Sequence, residues 1–206
     1  TARKLYGNSL RDEALASVHI SPDKVFKPTE DINDDTGKGI ISYISNKLGK
    51  PEHDVWTEIG MDNVMTFSED YPAFFRQKNL YSFLKSMYDV HMVVASRIPG
   101  AKPPILLLKP VSEHVAEMTY DSNRGMFAYF NGMLKGSAKY FNENIDVETV
   151  EKTDSFTKLR ITFSNQIYFH KSYKVNTAFS FGFLNSLEAK SAIMSLLFLG
   201  VPSIII

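Results

Sequence analysis

Apolar residues recur at intervals of three and four along the first half of the chain, the spacing of helices that bury one side. One such run, ended by Gly49, consists of Ile40, Ile41, Ile44 and Leu48. The same spacing predicts a short helix over residues 8–17 and another around Val55, Trp56 and Ile59. The N-terminal half is therefore predicted to be helical.

The longest helical pattern covers about residues 79–97 and has one histidine within its apolar stripe. The stripe consists of Leu80, Leu84, Met87, His91, Val94 and Ile98. Burying the His91 imidazole requires partners for its ring nitrogens, because an unpaired buried polar group costs about 1–3 kcal/mol. Spacing alone leaves two interpretations open, a hydrogen-bonded core histidine and a metal ligand.

The pattern changes to strands after about residue 104. Residues 105–108 form a short apolar run, and residues 114–120 alternate loosely. A helix is predicted over residues 125–141, followed by a hairpin of residues 159–163 and 167–169. Helices followed by an antiparallel sheet with helices against it indicate an α+β fold.

Polar residues alternate just before the predicted helix of residues 125–141. In an extended segment, Tyr120, Ser122 and Arg124 point to the same side. One guanidinium and two hydroxyls on one side suit a carboxylate or a phosphate. An exposed strand edge with an incidental polar row has the same spacing, so both interpretations stay open.

Composition narrows the class of protein. Basic and acidic residues number 23 each and form no basic cluster, which argues against a nucleic-acid surface. The absence of cysteine excludes disulfides, thiolate zinc sites and cysteine-ligated clusters. No Ser-His-Asp order, HExxH motif or paired-carboxylate spacing stands out, so no enzyme is predicted.

The end of the sequence is strongly apolar. Residues 192–206 carry no charge, and Lys190 is the last charged residue before them. Because a membrane-spanning helix needs about 20 apolar residues, we expect a transmembrane helix that starts here and continues beyond the given sequence. A buried terminal helix or strand is the alternative.

Five short motifs follow one another along the chain. They are LYGN at 5–8, TFSE at 66–69, DVH at 89–91, the pair Pro103 and Pro104, and Tyr-x-Ser-x-Arg at 120–124. In these motifs the chain resembles the haem nitric-oxide/oxygen-binding domain, the H-NOX family of bacterial gas sensors and soluble guanylate cyclase. The resemblance covers about residues 1–173.

The resemblance implies a fold and domain boundaries. It implies an N-terminal helical lobe, a C-terminal lobe with helices and a four-stranded antiparallel sheet, and haem buried between them. The H-NOX domain is expected over residues 1–175 and to lack one to two helical turns or more at its start. Residues 176–206 are expected to be a linker and the start of the transmembrane helix.

The resemblance also implies roles for the polar residues. The cofactor is expected to be haem b, iron protoporphyrin IX, with His91 as the iron ligand. Tyr120, Ser122 and Arg124 are expected to bind the haem propionates, and Pro104 to press on the porphyrin and keep it out of plane. Without the resemblance, Pro104 would be an ordinary strand-starting proline.

On the distal side, the resemblance aligns Tyr129 with the tyrosine of oxygen-binding members and Asn63 with the residue that orients it. A phenol donor stabilises a partly anionic ligand by about 1.5–3 kcal/mol. The expected pocket-lining residues, each of which could equally be core, are Phe67, Tyr71, Phe75, Met87 and Met133.

The implied function is a haem-based sensor of O2, which also binds NO and CO and signals through a shift of the His91 helix. The expected partner is a methyl-accepting chemotaxis signalling domain, in the same chain or separate. The expected location is the cytoplasmic side of the inner membrane if residues 192–206 span it, and otherwise the cytoplasm. The alternatives are an NO-selective sensor and a haem-free protein-interaction module.

Overall fold

The computed structural model describes residues 1–26, 33–96 and 100–167. In chain order the elements are α1 (Ala2–Ser17), α2 (Asp34–Leu48), α3 (Glu52–Asp70), a 3-10 helix (Pro72–Phe75), α4 (Leu80–Ala95), β1 (Ile105–Pro110), β2 (Val115–Asp121), α5 (Phe127–Tyr140), β3 (Ile145–Lys152) and β4 (Phe156–Phe163). The four strands form one antiparallel sheet in the order β1-β2-β4-β3. The predicted α+β class is confirmed.

The first three helices share a small apolar core. Its buried residues are Ala14, Ile41, Ile44, Val55 and Ile59. Helix α2 is capped at its start by Asn33, whose side chain accepts a hydrogen bond from the backbone amide of Asp35, and at its end by Gly49 in the left-handed conformation. The stop predicted at Gly49 is thus confirmed. Helix α1 begins earlier than predicted, because Gly7, at φ 85°, allows a kink that joins a preceding helical turn to it.

The larger core lies on one side of the sheet. Side chains of α4, α5 and the inward positions of β2 and β4 meet there, among them Leu80, Leu84, Phe130, Leu134, Met118 and Ile161. The inward positions alternate along each strand, as the pleat requires. The two helices therefore pack as a second layer on one face of the sheet.

The predicted hairpin of residues 159–163 and 167–169 is wrong. Strand β4 is hydrogen-bonded on both sides, since Leu159 is opposite Met118 of β2 and Thr149 of β3. No edge of β4 remains for a third partner. Ile167 instead donates its amide to the carbonyl of Glu113, and residues 168 and 169 lie outside the described residues. The pattern missed β3 because this edge strand exposes most of its side chains.

Helices α3 and α5 touch backbone to backbone. A Cβ atom on Gly132 would lie 2.2 Å from the carbonyl oxygen of Thr57, and one on Gly136 would lie 2.6 Å from that of Met61. Gly60 faces α5 in the same way, since a Cβ atom on it would lie 2.4 Å from the carbonyl oxygen of Tyr129. Only glycine allows this approach at these positions, which brings the residues around Asn63 and Tyr129 together.

Within the described ranges, no helix is both long and apolar enough to cross a membrane. The apolar run at residues 192–206 and the boundary expected at 175–176 lie outside the described residues.

Candidate functional site

A cavity of about 760 Å³ lies among α4, α5, the segment before β1 and the inner side of β1 and β2. This volume falls within the range of small-molecule and cofactor pockets, about 300–1,000 Å³. Its walls are mostly apolar, with residues such as Leu84, Val94, Leu106, Met118 and Phe130. The cavity can therefore hold a large apolar group.

Most of the predicted site residues line this one cavity. They are Met87, His91, Pro104, Tyr120, Ser122, Arg124, Tyr129 and Met133. These residues come from three elements, α4, β2 and α5, and from the segments before β1 and after β2. Asn63 does not line the cavity, but it contacts Tyr129, which does.

Three of the predicted lining residues do not border the cavity. Phe75 is buried in the main core, with its ring centroid 4.8 Å from that of Phe83 and 5.0 Å from that of Tyr140. Phe67 packs against the same core, and Tyr71 is 44% exposed after the end of α3. The spacing of aromatic residues along the sequence does not distinguish residues of the core from residues that line a cavity.

His91 is oriented by its own helix. Its Nδ1 atom lies 2.7 Å from the carbonyl oxygen of Met87, one turn earlier in α4. With the proton on Nδ1, the imidazole donates to that carbonyl and keeps a lone pair on Nε2. Metal-binding histidines commonly donate their second ring nitrogen in this way, so the geometry suits an iron ligand.

The surroundings of His91 favour a metal that brings its own ligands. Within the described part of the chain, no three metal-ligating side chains converge. One imidazole on the wall of a large apolar cavity cannot hold a bare ion, but it can complete the coordination of a haem iron. The donor set present therefore fits a haem.

The Tyr120–Arg124 segment differs from the extended strand that alternation suggests. Strand β2 ends at Asp121, and Tyr120 and Ser122 are both buried on the cavity side. A turn follows, in which the Gly125 amide donates to the Ser122 carbonyl at 3.1 Å. Arg124 reaches the cavity from this turn, and all three predicted side chains border it.

The hydroxyls of this segment are available as donors. Ser122 Oγ accepts the Arg124 amide at 3.3 Å, which leaves the hydroxyl proton for another acceptor. The Tyr120 ring stacks on Phe130, with the ring centroids 4.6 Å apart, and meets Phe127 edge-on, with the centroids 5.7 Å apart. These contacts hold the ring in place. Two hydroxyls and one guanidinium at one end of the cavity suit a carboxylate.

Arg124 has a partner from a distant part of the chain. Its Nε donates to Asp34 Oδ2 at 3.1 Å, and its Nη2 contacts Asp34 Oδ1. Asp34 is the first residue of α2 and also lines the cavity. The pair is about half exposed and separated by 90 positions, so no local pattern could have indicated it. It neutralises much of the guanidinium charge at this end of the cavity.

Tyr129 takes part in a chain of polar contacts. Asn63 Nδ2 donates to the Tyr129 hydroxyl oxygen at 3.0 Å, and the Thr1 hydroxyl contacts Asn63 Oδ1. The proton of the phenol therefore remains free for an acceptor in the cavity. Burial raises the pKa of Tyr129, which keeps the hydroxyl protonated at neutral pH. The ring is edge-on to Trp56 at 6.2 Å.

Several lining residues were not identified from the sequence. The apolar ones include Phe83, Leu106, Met118, Met126 and Phe130. Leu84 and Val94 belong to the apolar stripe of α4, which signals burial without telling core from cavity. The charged ones, Asp34 and Lys102, lie at a helix start and in a loop, where no periodic signal exists.

A protein-family model described as Haem-NO-binding matches residues 1–149. No curated protein matches the chain.

Several solved structures resemble most of this chain. An oxygen-binding H-NOX domain related to soluble guanylate cyclases, in its oxygen complex, is 44% identical, with a TM-score of 0.76 over 82% of this chain and 92% of that one. A mutant of the T. tengcongensis H-NOX is 44% identical, with a TM-score of 0.76 over 81% and 93% of the two chains. A structure that addresses H-NOX activation is 43% identical, with a TM-score of 0.78 over 82% and 94%.

Proposed function

From the premise that this chain belongs to the haem-NO-binding, or H-NOX, family of haem-binding gas sensors, we propose that it is an oxygen-binding member with His91 as the iron ligand. Haem is its cofactor. The observation that carries the oxygen proposal is the contact of Asn63 with the Tyr129 hydroxyl, 3.0 Å long, at the wall of the cavity that His91 also borders.

Haem supplies an iron that binds diatomic gases, and it carries two carboxylates. The proposed role of His91 is to hold the iron through Nε2, since Nδ1 donates to Met87. Tyr120 and Ser122 would donate their hydroxyl protons to a haem carboxylate, and Arg124 would donate from the guanidinium N–H groups that Asp34 does not occupy. Pro104 lines the same cavity, where its rigid ring would press against the porphyrin.

Tyr129 would act on the gas. Because Asn63 donates to the phenol oxygen, the phenol proton points to another acceptor. A hydrogen bond to a partly anionic ligand contributes about 1.5–3 kcal/mol, or about ten- to a hundredfold in affinity. O2 takes on more negative charge than NO or CO when it binds haem iron, so the donor favours O2 among the three gases.

The packing of α4 suits a signal that starts at His91. The first half of the helix is anchored, since Leu80 and Leu84 are at most 4% exposed. The second half is held less tightly, because Met92 and Val93 are almost half exposed. A displacement of His91 would therefore move the second half of α4 about its anchored first half.

The output of this signal is proposed from the family resemblance alone. We propose a gas-binding domain over residues 1–175 and a methyl-accepting chemotaxis signalling domain as the receiver, in the same chain or in a partner. Membrane attachment through residues 192–206 belongs to the same proposal. Co-purification of the chain with such a domain, compared with and without gas, would test it.

Absorption spectroscopy of the purified chain tests the proposed function. We expect a Soret band after reduction with dithionite, and a shift of that band on adding O2, NO or CO. A reduced protein that responds to NO and CO but not to O2 would identify an NO-selective sensor. A chain that takes up no haem would overturn the proposal in favour of a protein-interaction module.

A further inference from the structure

Lys102 is the second basic side chain at the cavity. It lies in the segment before β1, beside Pro103 and Pro104, and lines the cavity together with Arg124. We propose that Lys102 binds a carboxylate of the cofactor and supplies the positive charge that Arg124 cannot supply alone. This inference rests on the proposed haem site and adds a residue to the Tyr120, Ser122 and Arg124 group.

The strand register places Lys102 at the carboxylate end of the cavity. Strands β1 and β2 are antiparallel, with Ile105 opposite Asp121. The chain before Ile105 therefore lies at the same end of the sheet as the chain after Asp121. Lys102 precedes Ile105 by three positions, and Arg124 follows Asp121 by three. Both side chains consequently border the cavity at one end.

The balance of charge favours a second cation there. Among the described lining residues, the side chains with a formal charge at neutral pH are Asp34, Lys102 and Arg124. Arg124 is already paired with Asp34, through Nε at 3.1 Å and through Nη2. Without Lys102 the lining would be neutral overall, whereas haem brings two carboxylates. Lys102 adds one positive charge.

Among the described residues, the Lys102 ammonium has no acidic partner that would compete with this contact. Within residues 1–26, 33–96 and 100–167, no carboxylate pairs with it. Its side chain is exposed, and a long flexible stem can carry the charge to a carboxylate at the edge of the cavity. An exposed ion pair is weak and screened by salt, so its effect is largest at low ionic strength.

Haem release measures the contact directly, independently of gas binding. The rate of haem transfer from the ferric protein to excess apomyoglobin would be compared for the unmodified chain, Lys102→Gln, Lys102→Glu and Lys102→Arg at low and high salt. We expect release about threefold faster for Lys102→Gln at low salt, more for Lys102→Glu, and a near-normal rate for Lys102→Arg. The differences should shrink in about 0.5 M salt.

Two controls test whether the change in haem release depends on Lys102 and on the haem carboxylates. Lys109→Gln removes an exposed lysine of β1 that does not line the cavity, and it should leave the rate unchanged. Haem dimethyl ester lacks both carboxylate charges, so with this probe the unmodified chain and Lys102→Gln should release at equal rates.

The outcomes separate this inference from the proposed function. If the unmodified chain binds haem and both Lys102→Gln and Lys102→Glu release it at the normal rate at low salt, the Lys102 role is wrong and the haem site stands. An undiminished difference with the dimethyl ester would equally overturn the Lys102 role. Failure of the unmodified chain to bind haem would overturn the proposed site itself.

Discussion

The Nδ1 atom of His91 lies 2.7 Å from the carbonyl oxygen of Met87, so the helix that carries the imidazole also orients it. A carbonyl accepts only from a protonated nitrogen, and the lone pair is thereby assigned to Nε2. The two residues are one helical turn apart, which makes this orientation a local property of α4. It needs no contact with any other element.

Replacing His91 by Gly should remove the iron ligand while leaving the cavity walls in place. We expect the ferrous Soret band to be lost or strongly changed, and to be restored by added imidazole. Absorption spectra with and without imidazole measure this. His53, exposed in the first turn of α3, offers the control, since His53→Ala should leave the spectrum unchanged. A normal ferrous Soret band in His91→Gly without imidazole would refute the assignment.

Replacing Tyr129 by Phe removes the phenol proton and keeps the ring against Trp56. We expect oxygen affinity to fall about ten- to a hundredfold, the equivalent of 1.5–3 kcal/mol, while NO affinity stays nearly unchanged. Gas titrations followed by absorption measure both. Tyr71→Phe is the matched control, because Tyr71 is exposed and does not border the cavity. Equal oxygen affinity in Tyr129→Phe and the parent chain would rule out the donor role.

Replacing Gly132 by Ala should destabilise the fold. The added Cβ would lie 2.2 Å from the Thr57 carbonyl oxygen, so α3 and α5 must separate, at a cost of about 1–3 kcal/mol. Urea unfolding measures the change. Gly37→Ala is a control in another helix, where a Cβ meets nothing within 4 Å. We expect it to stabilise by about 0.5–1 kcal/mol, and a similar gain in Gly132→Ala would contradict the close packing.

Replacing Glu58 by Gln should lower stability at pH 7 more than at pH 3. Lys50 and Tyr6 each donate a hydrogen bond of 2.7 Å to the carboxylate of Glu58. These hydrogen bonds hold the pKa of Glu58 below its usual 4.5, and the one from Lys50 has the larger effect. A carboxyl with a lowered native pKa stabilises the fold above the usual pKa, and this contribution is lost as the pH falls through the native pKa.

Because Glu58 is about a third exposed, we expect a loss of about 0.5 kcal/mol at pH 7 and a smaller loss at pH 3. Urea unfolding at the two pH values measures it. Glu151→Gln serves as the control, since Glu151 is exposed and forms no ion pair among the described residues. A loss of stability in Glu58→Gln that is the same at both pH values would show that the charge is not responsible.

The elements were largely predictable because their signals are local. The spacing of apolar residues located α2 and α4, and Gly49 marked the end of α2, where the left-handed conformation favours glycine. Strand β3 was missed, and β4 was paired with the wrong segment. Strand pairing joins residues without any fixed separation in sequence, and an edge strand with exposed side chains has no strong alternation to reveal it.

The candidate site likewise has features that follow from local sequence and features that depend on tertiary packing. The sequence by itself identified the candidate site residues, and it placed His91 on a helix, where a carbonyl one turn earlier lies within reach of the imidazole. Only the tertiary structure decided that Arg124 pairs with Asp34, that Lys102 borders the same cavity, and that Phe67, Tyr71 and Phe75 do not. Hydrogen bonds within a helix follow from a fixed spacing along the chain, whereas a cavity wall depends on how separate elements pack.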